Sequence, residues 1–158
     1  MSSMDLDRTD RQILALLQRD GRISNQDLAE RVSLSPSPCL RRVRRLEEQG
    51  YIRRYVALAD PGLLGLGLLA YVFVRLDKTH AAAHRSIADF VRDVQGWPEV
   101  VQCYAMSGDM DYVLRVQVED LAQFSRFAMD TLMRHPAVVD MRSSFAMQTI
   151  KETTELPV

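Results

Sequence analysis

The sequence predicts an α+β protein with two domains, a group of three helices followed by two β-α-β units. Three observations lead to this fold class. Apolar side chains recur at helical spacing through residues 7–49, between signals that start and stop helices. From residue 68 onward, apolar and alternating runs of strand length surround two further helical patterns. An Asp-Pro-Gly turn at 60–62, with further glycines at positions 65 and 67, separates domain 1–60 from domain 61–158.

Capping residues mark the first two helices. One helix is expected from about Asp7 to Arg19, because acids crowd its first turn and Asp20-Gly21 follows its end. The next begins at Ser24, where the letters Ser-Asn-Gln-Asp approximate a capping box. The expected inner faces consist of Ile13, Leu14 and Leu17 in the first helix and Leu28, Ala29 and Val32 in the second.

The third helix begins at two prolines, which define its start rather than break it. Ser35 is the expected N-cap and Pro36 the first helical residue, where the missing amide hydrogen removes no helical hydrogen bond. Pro38 still lies in the first turn. Gly50 closes the helical pattern.

This helix carries four arginines within five residues, and no acid lies between Arg31 and Leu46. At about 100° per residue, the apolar stripe consists of Leu40, Val43 and Leu46, with Cys39 at its edge. The opposite side presents Ser37, Pro38, Arg41, Arg45 and Gln49, flanked by Arg42 and Arg44.

Two interpretations of these arginines stay open from their spacing alone. Glu47 and Glu48 lie one turn from Arg44, so the charges could pair on a solvated helix face. Alternatively, the second and third helices, joined by the short turn at residues 33–34, have the lengths of a helix-turn-helix. The second helix of that motif enters the DNA major groove, and a locally basic segment favours this interpretation.

Composition indicates a soluble, intracellular, globular protein. Charged residues make up 26% and hydrophobic residues 47%; no apolar run approaches the ~18 residues that cross a bilayer, and no leader opens the chain. Residues 1–60 carry a net charge of +2 and residues 61–158 a net charge of −3. The two cysteines, Cys39 and Cys103, lack metal-site spacing, and no nucleophile–base constellation appears. No metal, cofactor or catalytic residue is expected.

Residues 51–58 (YIRRYVAL) are β-prone and predict a strand that leads into a hinge. Tyr55 and the arginines at 53 and 54 would belong either to a wing over DNA phosphates or to a half-exposed strand. The pattern does not distinguish these alternatives.

The second domain repeats a structural pattern rather than a letter pattern. Strands are expected at 68–76, 100–106, 112–118 and 138–150. The helices between them are marked by Ile87, Phe90, Val91 and Val94, and by Leu121, Phe124, Ala128 and Leu132. Two tandem β-α-β units give the ferredoxin-like sandwich, a four-stranded sheet with both helices on one face. The open sheet face carries many apolar side chains, which predicts a dimer.

The loop between the two β-α-β units reads Ser107-Gly108-Asp109-Met110-Asp111-Tyr112. It predicts a tight turn in which glycine supplies positive φ and the aspartates cap the turn. Two carboxylates without further ligands make a poor metal site. Exposed amides of such a turn can hold a carboxylate, and a neighbouring aspartate can hold an ammonium group, so the loop also suits a zwitterion.

Four stretches resemble one family. They are LDRTDRQILALLQRDGRIS at 6–24, LAERVSLSPSPCLRRVRRLEEQGYI at 28–52, SGDMDY at 107–112 and IKETTELP at 150–157. Together they resemble the leucine-responsive regulatory protein / AsnC family of bacterial transcription regulators, over essentially the whole chain. The resemblance implies an N-terminal, winged-helix-like helix-turn-helix and a C-terminal ferredoxin-like domain that binds an effector and oligomerises.

The resemblance and the residue patterns together predict partners, location and site residues. The partners are double-stranded DNA, a free amino acid (apolar, such as leucine or methionine) bound between dimers, and further copies as a dimer and an octamer. The location is the bacterial cytoplasm, with nucleoid association and no membrane, and the target genes would serve amino-acid metabolism. The expected DNA-binding residues are Ser35, Ser37, Pro38, Arg41, Arg42, Arg44 and Arg45. The expected effector-binding residues are Ala105, Ser107, Gly108, Asp109, Met110, Asp111, Tyr112, Leu121, Met133, Ser144, Phe145 and Ala146.

Two alternatives are weighed against a regulator. Decarboxylases of similar architecture use histidines of the second domain, but His80, His84 and His135 are expected to be solvated at a connection and a helix end. A DNA-architectural protein would bind unrelated sequences with equal affinity. Both rank below a sequence-specific regulator whose DNA binding or assembly responds to an amino acid.

Overall fold

The computed structural model describes residues 6–79 and 83–158, without the side chains of residues 83–85. His80 and the side chain of His84 therefore lie outside the described part. The chain forms two compact units, one of Met1–Leu58 with Lys151–Val158 and the other of Ala59–Ile150. The boundary lies two residues before the expected one, and the C-terminal segment groups with the first unit rather than the second. None of the described helices is long and apolar enough to cross a membrane.

Three helices build the first unit: α1 (Arg8–Arg19), α2 (Asn25–Arg31) and α3 (Pro36–Glu48). Asp7 caps α1 through a complete capping box with Asp10. Ser24 caps α2 by accepting from the Asp27 amide. Pro36 is the first residue of α3, as its place in the first turn predicts, and Ser35 is the N-cap without a side-chain hydrogen bond.

The core of the first unit shows which side of α3 faces inward. Cys39 and Leu46 are fully buried, whereas Leu40 is 39% exposed. The expected stripe was therefore wrong at Leu40, and Cys39 occupies the inner position assigned to its edge. Arg42 follows Cys39 by three residues and therefore lies on the same side of the helix. Since Cys39 faces the core, Arg42 is half-buried.

The turn between α2 and α3 contains a strained backbone position. Ser33 adopts φ 56, the left-handed region that non-glycine residues rarely occupy. The next amide, of Leu34, donates to the Ala29 carbonyl at 2.9 Å and ties the turn to α2. This short connection fixes where α3 begins.

The expected strand at 51–58 is absent, because that segment has no partner strand within the described part of this chain. Tyr55 instead packs near Gly21. Its hydroxyl donates to a Glu47 carboxylate oxygen at 2.9 Å.

The second unit is a four-stranded antiparallel sheet. Its strands are β1 (Leu68–Leu76), β2 (Val100–Ala105), β3 (Tyr112–Val118) and β4 (Val138–Phe145), in the order β2-β3-β1-β4. Helices α4 (Ala83–Asp93) and α5 (Leu121–Arg126) occupy the two crossovers, and a π-helical turn, Phe127–Leu132, extends α5. This order is that of the expected ferredoxin-like sandwich. The last strand ends at Phe145, five residues before the expected position.

The core of the second unit lies between one sheet face and the helices. Alternate residues of β1 and β3 are fully buried there: Ala70, Val72, Val74, Leu114, Val116 and Val118. Phe90 is buried with them, but Val91, which shares its expected helix face, is 44% exposed. His135 is 8% exposed, so its expected solvated position was wrong. Its ring packs edge-on against Phe90 and Trp97, and Nδ1 accepts from the Ala137 amide at 3.2 Å.

Candidate nucleic-acid interface and effector loop

One face of α3 presents two unpaired arginines. Ser37, Arg41 and Arg44 are exposed and recur at i, i+4 and i+7, so they form one stripe along the helix. Neither Arg41 nor Arg44 forms an ion pair with any residue of the described part of the chain. The stripe borders a concave surface that is also lined by Leu34, Pro38, Leu40, Arg42, Arg45 and Glu48. We call Ser37, Arg41 and Arg44 the outer stripe.

The other two arginines of α3 are bound to acids of the first helix and its cap. Arg42 Nη1 donates to Asp7 Oδ2 at 2.6 Å and to Asp10 Oδ1 at 2.8 Å. Arg45 Nη2 donates to Asp10 Oδ2 at 2.5 Å. The Asp10 side chain is only 3% exposed. We call Asp7, Asp10, Arg42 and Arg45 the inner network, and it joins α3 to the beginning of α1.

The electrostatics of the inner network favour the charged forms of Asp7 and Arg42. The hydrogen bond from the Asp10 amide lowers the pKa of the Asp7 carboxyl, and the Arg42 guanidinium lowers it further. Asp7 and Asp10 raise the pKa of Arg42 in turn. Opposite charges with short hydrogen bonds favour the charged form on both sides. Arg45 and Arg41 line the same concave surface, as their expected common face implies, but Arg45 is bound to Asp10 whereas Arg41 forms no ion pair within the described part of the chain.

Sequence reasoning missed two residues that position α3. Asp10 precedes Ile13, Leu14 and Leu17 at i+3, i+4 and i+7, so it occupies the apolar stripe of α1, and an acid at such a position signals a buried partner. Asn25, the first residue of α2, donates from Nδ2 to the Pro36 carbonyl at 2.9 Å. It holds the start of α3 directly against α2.

The loop between β2 and β3 has free backbone donors. Gly108 adopts φ 117, a conformation that strains any other residue. Within the described part of the chain, the amides of Gly108, Asp109 and Met110 donate no hydrogen bond. Ser107 and Asp109 are exposed. The turn therefore offers unused amides to a carboxylate.

Asp111 at the end of this loop already has partners. Its Oδ1 accepts from Lys78 Nζ at 2.5 Å, and its Oδ2 accepts from the Leu76 amide at 2.8 Å. Burial by itself would raise the pKa of Asp111, but the Lys78 ammonium and the Leu76 amide outweigh it and lower the pKa. The Asp111 side chain is 13% exposed and that of Lys78 is 64% exposed. Asp111 is therefore already paired with an ammonium group in the structure, that of the long and largely exposed Lys78 side chain.

The expected effector residues fall into two groups within one chain. Tyr112 pairs with Val74, whereas Phe145 pairs with Ala70, four residues away along β1. At about 3.3 Å per residue, the two ends lie about 13 Å apart along the strands. One group, at the Tyr112 end of the strands, contains Ala105, Ser107, Gly108, Asp109, Met110 and Asp111, and Met133 precedes the beginning of β4 at that end. The other, at the Phe145 end, contains Ser144 and Ala146, and Leu121 follows the end of β3 there. Phe145 itself packs on Phe124 with ring centroids 5.0 Å apart.

Comparison with known proteins assigns both units. Residues 6–53 match a family model described as a winged helix-turn-helix DNA-binding domain. Residues 69–156 match the model of the Lrp/AsnC ligand-binding domain. A helix-turn-helix unit joined to a ligand-binding unit defines a ligand-responsive transcription regulator, not an enzyme.

Full-length relatives support the same assignment. The chain is 44% identical over 154 residues to proteins named leucine-responsive regulatory protein from Salmonella typhimurium and Escherichia coli, covering 98% of this chain and 92% of each relative. A transcriptional regulator from Neisseria meningitidis, solved as an L-Met complex, shares 46% identity at a TM-score of 0.92, with 97% of each chain covered. An AsnC family regulator from Agrobacterium tumefaciens shares 42% identity at a TM-score of 0.88, with 96% of each chain covered. The chain belongs to the Lrp/AsnC family of transcription regulators.

Proposed function

We propose that this regulator binds specific double-stranded DNA through the outer stripe of α3 and responds to a free amino acid held at the loop Gly108–Tyr112. The observation that carries the DNA proposal is the division of the four arginines. Arg41 and Arg44 are exposed and unpaired in the described part of the chain, while Arg42 and Arg45 are neutralised by acids. Free guanidinium groups on the second helix of a helix-turn-helix suit base edges and phosphates.

The roles within α3 follow from position. Ser37 and Arg41, in the first half of the helix, are proposed to contact base edges in the major groove, because recognition helices contact bases with their N-terminal residues. Arg44 is proposed to contact phosphates. Ser35 and Pro38, at the start of the helix, would approach the sugar-phosphate backbone of the DNA. Arg42 and Arg45 are proposed to act chiefly by orienting α3, with any phosphate contact made from their half-buried positions.

The effector proposal rests on complementary charges at one loop. The free amides after Gly108 would bind the carboxylate of an amino acid. Asp111 would bind its ammonium group, and the effector would then replace the Lys78 ammonium that lies there in the structure. Exchange of one ammonium group for another leaves the buried carboxylate paired throughout. A relative solved as an L-Met complex favours an apolar amino acid, such as methionine or leucine.

Assembly would complete the effector site. The two groups of expected residues lie at opposite ends of the strands in one chain, so Leu121, Ser144, Phe145 and Ala146 would meet an effector at the loop only from another copy. We propose a homodimer formed by the open sheet face and contacts between dimers at the effector sites, with an octamer as the closed form. The proposed location is the bacterial cytoplasm at the nucleoid, and the proposed targets are genes of amino-acid metabolism.

The proposal is tested with operator DNA selected by the wild-type protein from a random duplex pool. We expect one enriched motif with two half-sites related by two-fold symmetry, as a dimer of recognition helices requires. Methionine or leucine should then change the affinity for that motif or the assembly state. A pool that stays random after selection would instead indicate an architectural protein. If none of the twenty amino acids changed the affinity or the assembly state, the proposed amino-acid effector would be excluded.

A further inference from the structure

The C-terminal segment Lys151–Val158 lies on the first unit, although it follows the last strand of the second. Its best-defined contact is at Leu156. The Gln18 Nε2 group donates to the Leu156 carbonyl at 3.1 Å, and the Leu156 amide donates to Gln18 Oε1 at 2.6 Å. One side-chain amide thus satisfies both backbone groups of Leu156, as a neighbouring strand would.

Neighbouring residues extend this contact along α1. Arg19 Nε donates to Glu155 Oε2 at 3.0 Å, and Val158 lies in a groove with Arg8, Arg11, Gln12 and Ala15. The segment therefore runs antiparallel to α1, from Glu155 near the helix end to Val158 near its beginning. The charges are complementary, because α1 supplies arginines and the segment supplies Glu155.

The contacted residues form one continuous helix face. Positions 8, 11, 12, 15, 18 and 19 follow helical spacing and lie opposite the buried positions 10, 13 and 14. The segment consequently covers the outer face of α1, while the inner face holds the core and the inner network. Docking there leaves the outer stripe of α3 free.

The chain passes between the two units twice when this segment is docked, once at residues 58–59 and again at residues 150–151. The second passage begins at β4. The Ala146 amide, one residue after β4, still donates to the Leu69 carbonyl of β1 at 2.9 Å. The nine residues from Ala146 to Glu155 span at most about 30 Å. A change at the end of β4 is thus connected to α1 by a short, direct stretch of chain.

We propose that residues 151–158 are a docking segment that binds the outer face of α1 within the same chain and couples the effector unit to the DNA-binding unit. The coupling rests on the proposed function, because it places Ser144–Ala146 at the effector. Binding of the effector there alters the end of β4 and, through the docked segment, the DNA-binding unit. A chain without docking keeps both binding activities and loses the link between them.

Docking is tested first by amide hydrogen exchange on the full-length protein. The Leu156 amide should be protected in the wild type and lose its protection in Gln18→Ala, while Gln26→Ala, the same change on the exposed face of α2, keeps it. Arg19→Glu should weaken protection, and adding Glu155→Arg should restore it. An unprotected Leu156 amide in the wild type would overturn docking.

A cross-linking experiment tests whether docking occurs within one chain. A short bis-maleimide is applied to the variant Arg19→Cys/Glu155→Cys in which Cys103 is replaced by serine. The expected product is a single chain on a denaturing gel whose mass has increased by one linker that is bound at both ends. Each variant with only one of the two introduced cysteines gives no doubly attached linker; Cys39, which stays in all of them, is buried. A product of two chains would show exchange between copies and overturn the proposal as stated.

Coupling is tested by the ratio of DNA dissociation constants with and without methionine. In a chain that ends at Thr154 this ratio should fall toward 1, while methionine affinity by calorimetry and DNA affinity without methionine stay within about twofold (about 0.4 kcal/mol) of wild type. A truncated chain that keeps the full ratio would overturn the coupling. If the wild type binds no amino acid, the proposed function fails together with the coupling, and amide exchange still decides the docking.

Discussion

The inner network and the outer stripe lie on the same helix and use the same residue type, yet their surroundings differ. Arg42 and Arg45 contact a carboxylate that is 3% exposed, whereas Arg41 and Arg44 face solvent without a partner in the described part of the chain. The comparison shows that a run of arginines does not define a binding surface by its charge alone. The acids of the neighbouring helix decide which guanidinium groups are available to DNA.

The largest expected effect is on the inner network. Asp10→Ala should destabilise the first unit by about 3–5 kcal/mol, because it leaves two half-buried guanidinium groups without their shared carboxylate. Thermal and urea unfolding of the variant measures this. Glu48→Gln, an exposed change on α3, is the control and should stay within about 0.5 kcal/mol of wild type. Equal stability of the two variants would contradict a structural role for Asp10.

Removal of the Asp111 side chain is expected to affect effector binding rather than DNA binding. Asp111→Ala should abolish methionine binding in calorimetry, because the ammonium group would lose a partner that is worth several kcal/mol in a buried site. DNA affinity without methionine should be unchanged. Asp109→Ala, an exposed change in the same loop, is the matched control and should retain methionine binding. Equal methionine affinity in wild type and Asp111→Ala would remove this carboxylate from the site.

Stability should also depend on the pH through Asp111. Its pKa is lower in the folded protein than the ordinary value of 3.8, so its contribution is present above that value and is lost as the pH falls through the lowered pKa. Asp111→Asn should therefore flatten the decline of unfolding free energy below about pH 4. Urea unfolding at several pH values in this range measures the difference. Parallel curves for the two proteins would contradict the ion pair with Lys78.

A smaller effect is expected at the exposed hydrogen bond from the Tyr55 hydroxyl to the Glu47 carboxylate. Burial, together with Glu47, raises the pKa of Tyr55 to about 12. Because the folded value exceeds the ordinary value of 10, its contribution is complete below pH 10 and is lost as the pH rises through about 12. Tyr55→Phe should cost about 1 kcal/mol at neutral pH. Ultraviolet titration should lack one late-ionising phenol in the variant, and identical titrations would contradict the contact.

Features that depend on the residues of a single helix or strand could be predicted from the sequence. Helix starts at Asp7, Ser24 and Pro36 follow from capping chemistry and agree with the structure. Apolar and alternating runs of residues predicted the strands of the second unit and, with the order of elements, their fold. Helical spacing misplaced the inner face of α3 by one position. Leucine is larger and more apolar than cysteine, so the pattern favoured Leu40, whereas the structure buries Cys39.

Features that join distant elements were harder to predict. The partners of Arg42 and Arg45 come from residues more than thirty positions away, and no local pattern of α3 indicates them. The separation of Tyr112 from Phe145 depends on the register of three strands. Docking of the C-terminal segment on α1 requires contacts over 136 residues or more. The strand expected at 51–58 needs a partner that its own letters do not supply.

The division of labour within α3 is tested most directly by the salt dependence of operator binding. The double variant Arg41→Ala/Arg44→Ala is compared with Arg42→Ala, each checked for folding by circular dichroism. The double variant should bind more weakly by about 1–3 kcal/mol for each base-reading position, and the slope of log affinity against log salt should fall by about 1 for each phosphate that is no longer neutralised. Arg42→Ala should lower stability and leave the slope nearly unchanged. A normal slope in the double variant, with a reduced slope in Arg42→Ala, would contradict the assignment of DNA binding to the outer stripe.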